Sequence, residues 1–303
     1  MIYTLTLNPA LDYIMRVENL QTSDINRSVF EELHYGGKGI NVSVVLTRLG
    51  IKNKALGFTA GFTGEYLEKL LCDEGVDCAF LRIPCGNTRI NVKIEADNGI
   101  DINARGPEIP AEYTEKLIGF TDEIKDGDCL VLAGSVPENM PGDIYETVLS
   151  RLENKKVNVV ADATGDLLLS VLKYKPFLIK PNHLELGDLF GVSAESDGDI
   201  VFYGKKLISM GAQNVLVSRG EKGAILICGD GKVMSVGAVS GEPVNTVGCG
   251  DSMVAGFLAG YIEKGDYEYA LRMGAAAGSA TAFCRALASE KDIKNIFNTL
   301  KTN

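Results

Sequence analysis

The second half of the chain alternates short apolar runs with segments of helical pattern, and this alternation constrains the fold more than any other feature. Apolar runs at 130–133, 157–161, 177–180 and 215–218 predict buried strands, each followed by turn residues. Strands joined through helices form right-handed crossovers in a mostly parallel sheet with helices on both faces. The sequence therefore predicts an α/β fold.

The first third of the chain contains strands that are more polar than buried parallel strands. They are predicted at 13–18 and 27–35 and as a hairpin of 89–95 with 100–104. We expect them to form a small sheet that stands off the main body as a lid, inserted at about 12–35 and 88–105. No internal repeat or low-complexity linker interrupts the sequence, so we expect one domain spanning 1–303.

Charge and cysteine usage exclude several classes of partner. The net charge of −10 argues against nucleic acid and anionic membranes, which both attract basic surfaces. No apolar run reaches the length of about 18 residues that suggests a membrane span. The seven cysteines are scattered without metal-binding spacing, which is typical of free thiols in a reducing compartment. We therefore expect a cytoplasmic protein.

A glycine-rich turn at 244–252 opens a long apolar helix and carries an acidic residue in its first turn. Helix N-termini present free N–H groups and the positive end of the dipole, and Gly248 and Gly250 allow close approach of an anion such as phosphate. Asp251 would repel that phosphate unless it takes a proton from an attacking hydroxyl group. The alternative is that Asp251 only caps the helix.

Other candidate ligand-binding residues lie where strands end or helices begin. Asp12 follows the first strand, at the end of the sheet where ligands of α/β proteins collect. Lys38 and Asn41 lie at a second glycine-rich helix entrance, and the glycine spacing there differs from that of a Walker A loop. Arg89 and Arg105 lie at the ends of the hairpin. Asp12 could equally be a turn residue, and the strand charges could simply be solvated.

Two separated motifs give the chain a resemblance to a known family. Gly36-Gly37-Lys38-Gly39-Ile40-Asn41 and the 244–252 segment resemble the two signatures of the ribokinase/PfkB carbohydrate kinases, in the same order. Segments 8–12 and 87–93 are most similar to the phosphofructokinase branch, and within it to kinases of fructose 1-phosphate. The resemblance implies a ribokinase-like three-layer fold with a mostly parallel central sheet and a small β-sheet lid.

The activity that the resemblance implies is transfer of the γ-phosphoryl group of Mg-ATP to the C6 hydroxyl of D-fructose 1-phosphate. Asp251 would be the general base, and the amides of Gly248, Cys249 and Gly250 would form an anion hole. The implied sugar-phosphate ligands are Asp12, Gly37, Lys38, Asn41, Arg89 and Ser135, with Arg27 and Arg105 as further candidates. The implied ATP ligands are Lys180, Asn182, Ser218, Gly220, Gly223, Gly248 and Gly250. Glu185 would hold Mg²⁺ through water, and the lid would form a homodimer.

Two departures from the family pattern lie in the second motif. Asn245 stands where the family often has aspartate, so we predict no potassium requirement. Cys249 stands where alanine is common, and a thiol at a helix N-terminus can have a lowered pKa, which predicts sensitivity to oxidants. Neither His34, expected to be exposed, nor His183 is assigned a catalytic role.

Alternative functions remain open at this stage. Within the family, the alternatives are a tagatose 6-phosphate kinase and a 6-phosphofructokinase. A non-catalytic sensor of sugar phosphate or nucleotide would use the same fold without needing the base. A nicotinamide dehydrogenase is disfavoured, because no G-x-G-x-x-G motif follows the first strand.

Overall fold

The computed structural model describes residues 1–21, 23–239 and 241–302. The strands in these ranges are β1 (Ile2–Thr6), β2 (Ala10–Arg16), β3 (Phe30–Gly36), β4 (Asn53–Ala60), β5 (Asp77–Ile83), β6 (Arg89–Glu95), β7 (Ile100–Ile102), β8 (Cys129–Ala133), β9 (Asn158–Asp162), β10 (Leu178–Ile179), β11 (Asn214–Ser218), β12 (Ala224–Cys228) and β13 (Val233–Val236). The α-helices are α1 (Lys38–Arg48), α2 (Gly61–Asp73), α3 (Ala111–Gly119), α4 (Ile144–Ser150), α5 (Gly165–Val171), α6 (His183–Phe190), α7 (Asp197–Ser209), α8 (Cys249–Lys264), α9 (Tyr267–Ala282) and α10 (Glu290–Phe297).

Nine strands form the central sheet, in the order β13-β12-β11-β10-β9-β8-β1-β4-β5. The seven strands from β11 to β5 pair in parallel, whereas β12 and β13 are antiparallel at one edge. The five residues of β1 and of β8 are all buried, which explains why they appear in the sequence as continuous apolar runs. The predicted α/β class with a mostly parallel sheet is confirmed.

Helices cover both faces of this sheet, so the body has three layers. Alternate side chains of each strand point into two different cores: Leu130 and Leu132 enter one, and Val131 enters the other. The first core is closed by α3 to α7, and the second by α1, α8, α9 and α10. The predicted three-layer arrangement is confirmed.

Small residues allow α8 and α9 to pack closely. A Cβ at Gly256 would lie 2.5 Å from the carbonyl oxygen of Met273, and one at Gly274 would lie 2.8 Å from that of Met253. All ten residues from Asp251 to Gly260 are buried, which explains a helix that is apolar all round. This packing fixes the N-terminus of α8 against the end of the central sheet.

A second sheet of four strands, in the order β3-β2-β6-β7, is called the small sheet below. In its register Asp12 lies opposite both His34 and Asn91, so these side chains share one face. The other face carries apolar side chains, and Leu11 packs against α1 and α2 near the base of the sheet. The predicted small sheet is confirmed, although its first two strands begin three residues and end one or two residues from their predicted bounds.

The sequence missed several short elements. Helices α3, α5 and α6 contain 9, 7 and 8 residues and lie in segments whose polar turn residues mask the helical period. The segment 141–154, whose pattern in the sequence predicts a longer helix, is helical only over Ile144–Ser150, with turns on either side. The edge strand β13 is half-exposed and short, so its alternation is weak. Among the described helices, none has the length and apolar character needed to cross a membrane.

Candidate active site

A cleft of about 840 Å³ lies between the carboxyl ends of the central strands and the polar face of the small sheet. Because the central strands from β1 to β11 run parallel, the residues that follow them meet at one edge. Most of the predicted site residues line this cleft: Asp12, Gly37, Lys38, Asn41, Arg89, Ser135, Lys180, Asn182, Glu185, Ser218, Gly248, Gly250 and Asp251. A second cavity of about 340 Å³ adjoins it, between the small sheet and segments 244–247 and 285–287.

The N-terminus of α8 faces the cleft. Gly248 is the residue before the helix and has φ +78°, a left-handed conformation that favours glycine. A Cβ there would also lie 2.6 Å from Cδ2 of Leu287. At Gly250 a Cβ would lie 3.0 Å from Nζ of Lys180, so the absence of a side chain lets an ammonium group approach the helix N-terminus. The free amides and this lysine together favour a bound anion.

Asp251 is buried in the first turn of α8, with 6% of its surface exposed. Its Oδ2 accepts a hydrogen bond of 2.7 Å from Nδ2 of Asn41, on α1. Burial and the negative charge of Asp162 raise the pKa of Asp251 to about 6, against the lowering effects of Asn41, Lys180 and Lys38. The carboxylate can therefore be ionised near neutral pH and still accept a proton readily.

A buried carboxylate, Asp162, lies between the two lysines of the cleft. It ends β9 and is 1% exposed. Nζ of Lys38 donates a hydrogen bond of 3.1 Å to its Oδ1, and Nζ of Lys180 lies 3.5 Å from its Oδ2. The pKa of Lys38 is raised, since the charges of Asp162 and Asp251 outweigh the lowering effect of burial. Both ammonium groups therefore lie against one buried carboxylate, and that of Lys180 also lies close to Gly250 at the N-terminus of α8.

Asp12 is held in the cleft by two neighbours on β6. Its Oδ1 accepts a hydrogen bond of 2.8 Å from Nδ2 of Asn91, and its Oδ2 lies 3.3 Å from Nζ of Lys93. Gly36 leaves room for the carboxylate, because a Cβ at that position would lie 2.7 Å from Oδ1 of Asp12. Asp12 is thus a fixed, buried hydrogen-bond acceptor rather than a solvated turn residue.

The predicted arginines differ in position. Arg89 lines the cleft, and its Nε donates a hydrogen bond of 3.1 Å to the carbonyl oxygen of Asn8. Arg105 is exposed and pairs with Glu138 at 3.4 Å, outside the cleft lining. Arg27 is exposed in the loop before β3 and also lies outside that lining. Within one chain, only Arg89 of these three reaches the candidate site.

The predicted nucleotide residues lie at the ends of β10 and β11. Asn182 and Glu185 form a capping box at the start of α6: Asn182 Oδ1 accepts from the amide of Glu185, and Glu185 Oε2 accepts from that of Asn182, both at 2.8 Å. Ser218 pairs with Asn182 in a parallel bridge. Gly220 and Gly223 shape the following turn with positive φ values and do not line the cleft.

The lowered pKa expected for Cys249 is not found, so the structure gives no support to a reactive thiol there. The thiol is partly buried, and its Sγ donates to the carbonyl oxygen of Asn245 at 3.5 Å. Burial and the charge of Asp251 raise the pKa of Cys249 to about 11, overriding the helix N-terminus. His34 also differs from expectation, because it is half-buried and its Nε2 lies 2.9 Å from Oε2 of Glu32.

Sequence reasoning missed Asp162, Asn91 and Lys93 as members of the site. Asp162 carried a usable signal, since it stands at the carboxyl end of a buried apolar run predicted to be a parallel strand. Asn91 and Lys93 lie on the alternating polar face of β6, for which simple solvation was the alternative interpretation, and both line the cleft. Within the described ranges, no three His, Cys, Asp or Glu side chains are grouped so that they could hold a metal ion.

Comparisons with known proteins agree with this geometry. The family model of the pfkB carbohydrate kinases matches residues 5–293. The 1-phosphofructokinase of Bacillus subtilis is 43% identical over 301 residues, with 99% of each chain covered. The D-tagatose-1-phosphate kinase of Bacillus licheniformis is 38% identical over 289 residues, covering 95% of this chain and 94% of that one.

A solved structure has the same fold. Phosphofructokinase-2 of Escherichia coli in complex with fructose-6-phosphate superposes with a TM-score of 0.91, at 28% identity and with 98% of each chain covered. Kinases of this family use ATP as phosphoryl donor. The cleft, the glycine-rich helix entrances and these full-length matches lead to one conclusion: the chain belongs to the pfkB family of carbohydrate kinases and is a phosphotransferase.

Proposed function

We propose that the protein transfers the γ-phosphoryl group of Mg-ATP to the C6 hydroxyl of D-fructose 1-phosphate, giving fructose 1,6-bisphosphate. The observation that carries the proposal is the position of Asp251, buried at the N-terminus of α8 and facing a cleft with fixed polar groups on its opposite wall. The nearly full-length similarity to a 1-phosphofructokinase supports the choice of substrate.

Asp251 accepts the proton of the C6 hydroxyl as that oxygen forms a bond to the γ-phosphorus. The bond between the γ-phosphorus and the β–γ bridging oxygen breaks, and ADP leaves with that electron pair. The amides of Gly248, Cys249 and Gly250 stabilise the charge of the transferring group. Asn41 donates to one oxygen of Asp251 and so orients the carboxylate for the hydroxyl.

The sugar phosphate lies between Asp251 and the small sheet in this proposal. Asp12 accepts hydrogen bonds from sugar hydroxyls, while Gly37, Asn41 and Ser135 contact the sugar from the body. Arg89 holds the 1-phosphate at the end of the cleft away from Asp251, and Lys38, paired with Asp162, contacts the sugar phosphate near its C6 end. This arrangement places the C6 hydroxyl, rather than the phosphate, beside the base.

The nucleotide lies across the ends of β10 and β11. Its proposed ligands in the cleft are Lys180, Asn182, Ser218, Gly248 and Gly250, and Gly220 and Gly223 contribute through the turn that follows Ser218. Glu185 is the proposed Mg²⁺ ligand, through water, and its half-buried carboxylate beside the cleft suits a cation that keeps several waters. When bound with ATP, Mg²⁺ neutralises phosphate charge.

D-Tagatose 1-phosphate is the second candidate substrate, because a kinase of that sugar phosphate is 38% identical over nearly the full chain. Both candidates are ketohexose 1-phosphates, so both fit a cleft with a phosphate clamp at one end and a base at the other. They differ in the configuration of a ring hydroxyl, which the residues around Asp12 would have to distinguish.

ADP release with Mg-ATP tests the proposal, using fructose 1-phosphate, tagatose 1-phosphate, fructose 6-phosphate, tagatose 6-phosphate and fructose as separate acceptors. We expect kcat/KM for fructose 1-phosphate to exceed the others by about tenfold or more, a difference of about 1.4 kcal/mol. Preference for tagatose 1-phosphate would select the second candidate. Preference for a 6-phosphate, or no turnover, would contradict the proposed substrate.

We also propose that two copies associate through the apolar face of the small sheet, which lies opposite the face that carries Asp12. Ile100 and Ile102 on β7 are 39% and 56% exposed, and they lie opposite Ile94 and Val92 on the same face. In sedimentation-velocity experiments we expect the wild type to be a dimer and Ile102→Glu to be a monomer. The matched control is Ile262→Glu, at an exposed position on α8, which should remain dimeric. A monomeric wild type at micromolar concentration would refute the proposal.

A further inference from the structure

Four charged side chains meet at the end of the central sheet: Lys38, Lys180, Asp162 and Asp251. Both lysines contact the same carboxylate. Lys38 and Lys180 both contact Asp162, at 3.1 and 3.5 Å, and among the described residues no cation forms an ion pair with Asp251. Lys180 is 5% exposed and Asp162 is 1% exposed, so their positions are fixed by packing. Two lysines that could neutralise the proposed base are therefore directed to another carboxylate.

The hydrogen bonding of the Asp162 carboxylate is incomplete. Its Oδ2 is buried and accepts no hydrogen bond of good geometry, although Nζ of Lys180 lies within 3.5 Å. Burying a carboxylate oxygen without a partner costs free energy. A residue that served only to stabilise the fold would gain by completing this bond, so the incomplete bonding points to a role in the cleft.

We propose that Asp162 is a positioning residue that holds the ammonium groups of Lys38 and Lys180 away from Asp251, leaving that carboxylate free for the substrate hydroxyl. The lysines remain beside the N-terminus of α8, where they face transferred phosphate. This inference rests on the proposed role of Asp251 and assigns to Asp162 a function that acts through its neighbours.

The charged groups around Asp251 predict the direction of the effect. The groups that act on it are Asn41 and Lys38 on α1, Asp162 at the end of β9 and Lys180 after β10; Cys249 neighbours it on its own helix, and the charge of Glu185 on α6 acts on Lys38. Asp162 raises the pKa of Asp251, and the two lysines lower it. Removing Asp162 must therefore lower the pKa of the base, and removing Lys180 must raise it.

The test is the pH profile of kcat at saturating Mg-ATP and sugar phosphate. In Asp162→Asn we expect the acidic limb to move down by about one pH unit or more, with a plateau about tenfold lower, because a base paired with lysine is weaker. In Lys180→Met the limb should move up. The substrate phosphate titrates in the same range, but it does so equally in every variant, so differences between variants report on the enzyme.

Asp128→Asn is the matched control. Asp128 is also a buried aspartate in an ion pair, with the N-terminal amine at 2.8 Å. It precedes β8, at the amino end of the parallel strands and away from the cleft. The acidic limb of the pH profile of Asp128→Asn should coincide with that of the wild type. An unmoved limb in Asp162→Asn, or a shift of both variants in the same direction, would overturn the proposal. If Asp162→Asn does not fold, as judged by circular dichroism, an unmoved limb in Lys180→Met overturns it.

Failure of this inference is separable from failure of the proposed function. A wild type that turns over fructose 1-phosphate, with a limb insensitive to Asp162, would refute the positioning role alone. A wild type that turns over none of the ketose phosphates would refute the proposed function before any variant is compared.

Discussion

The two walls of the cleft are built differently. On the body side, Asp251, Asp162 and Lys180 are each at most 6% exposed and are held by contacts between elements far apart in the chain. On the side of the small sheet, Asp12 and Asn91 are buried, but the two cations, Arg89 and Lys93, are only half-buried. The reacting end is therefore rigid and dry, whereas the substrate-holding end is more accessible.

This difference predicts which substitutions change kcat and which change KM. Groups that are buried and fixed before substrate arrives stabilise the transition state, so their loss lowers kcat. Groups that contact the substrate equally in the ground state and the transition state affect KM. We expect the body wall to control kcat and the small-sheet wall to control KM, and the following substitutions test that division.

The largest effect is expected for Asp251→Asn. Loss of a general base costs about 10² to 10⁴ in rate, and we expect a fall in kcat of about 10³ with little change in ATP binding measured by calorimetry. The asparagine keeps the shape of the side chain, so the fold is preserved. Near-normal turnover would remove Asp251 from the mechanism and weaken the distinction between the two walls.

The same variant should be more stable than the wild type at neutral pH. The pKa of Asp251 is raised from its ordinary value of 3.8 to about 6 by burial, so the folded state prefers the protonated form. As pH rises between these values, the wild type loses stability, on the order of 3 kcal/mol for about two units. Melting temperatures should favour Asp251→Asn at pH 8 and converge below pH 4; a constant difference would contradict the burial argument.

The body wall was only partly predictable from sequence. The glycines before α8 and the acidic residue after them form a local pattern, so Gly248 and Asp251 were identified. Asp162 was not, because its partners Lys38 and Lys180 come from other elements and only the parallel order of the strands brings them together. Contacts between distant elements leave no periodic signal in a single sequence.

Prediction of the small-sheet wall from the sequence failed for a different reason. The alternation in β6 correctly separated Val92 from Asn91 and Lys93, and it gave the strand bounds. It could not show which face is covered, because polar side chains facing a cleft and polar side chains facing solvent have the same period. For this reason the sequence left open whether Asn91 and Lys93 are solvated, whereas the structure places both in the cleft lining.

Substitutions at the two ends of α8 sharpen the comparison within a single helix. Gly248 and Gly265 flank α8 and have φ values of +78° and +65°. Alanine is strained at both positions, by about 1 kcal/mol. At Gly248 a Cβ also meets Leu287, whereas at Gly265 nothing lies within 4 Å.

We expect Gly248→Ala to lower kcat by about 10², because displaced amides no longer match the transferring group. Gly265→Ala should lower the melting temperature and leave kcat unchanged. Steady-state kinetics and thermal melts of both variants separate strain from loss of the anion hole. Equal losses of activity would mean that helix stability, rather than the geometry of its N-terminus, controls the rate.

The smallest effect is expected on the small-sheet wall. Arg89→Ala removes a cation that lines the cleft, and we expect KM for the sugar phosphate to rise about tenfold while kcat changes little. Arg105→Ala is the matched control: Arg105 belongs to the same sheet region but is 85% exposed and pairs with Glu138 outside the cleft. Its KM should stay within error of the wild type. A larger loss of kcat than of KM in Arg89→Ala would show that this wall also acts in the transition state, and the division between the two walls would not hold.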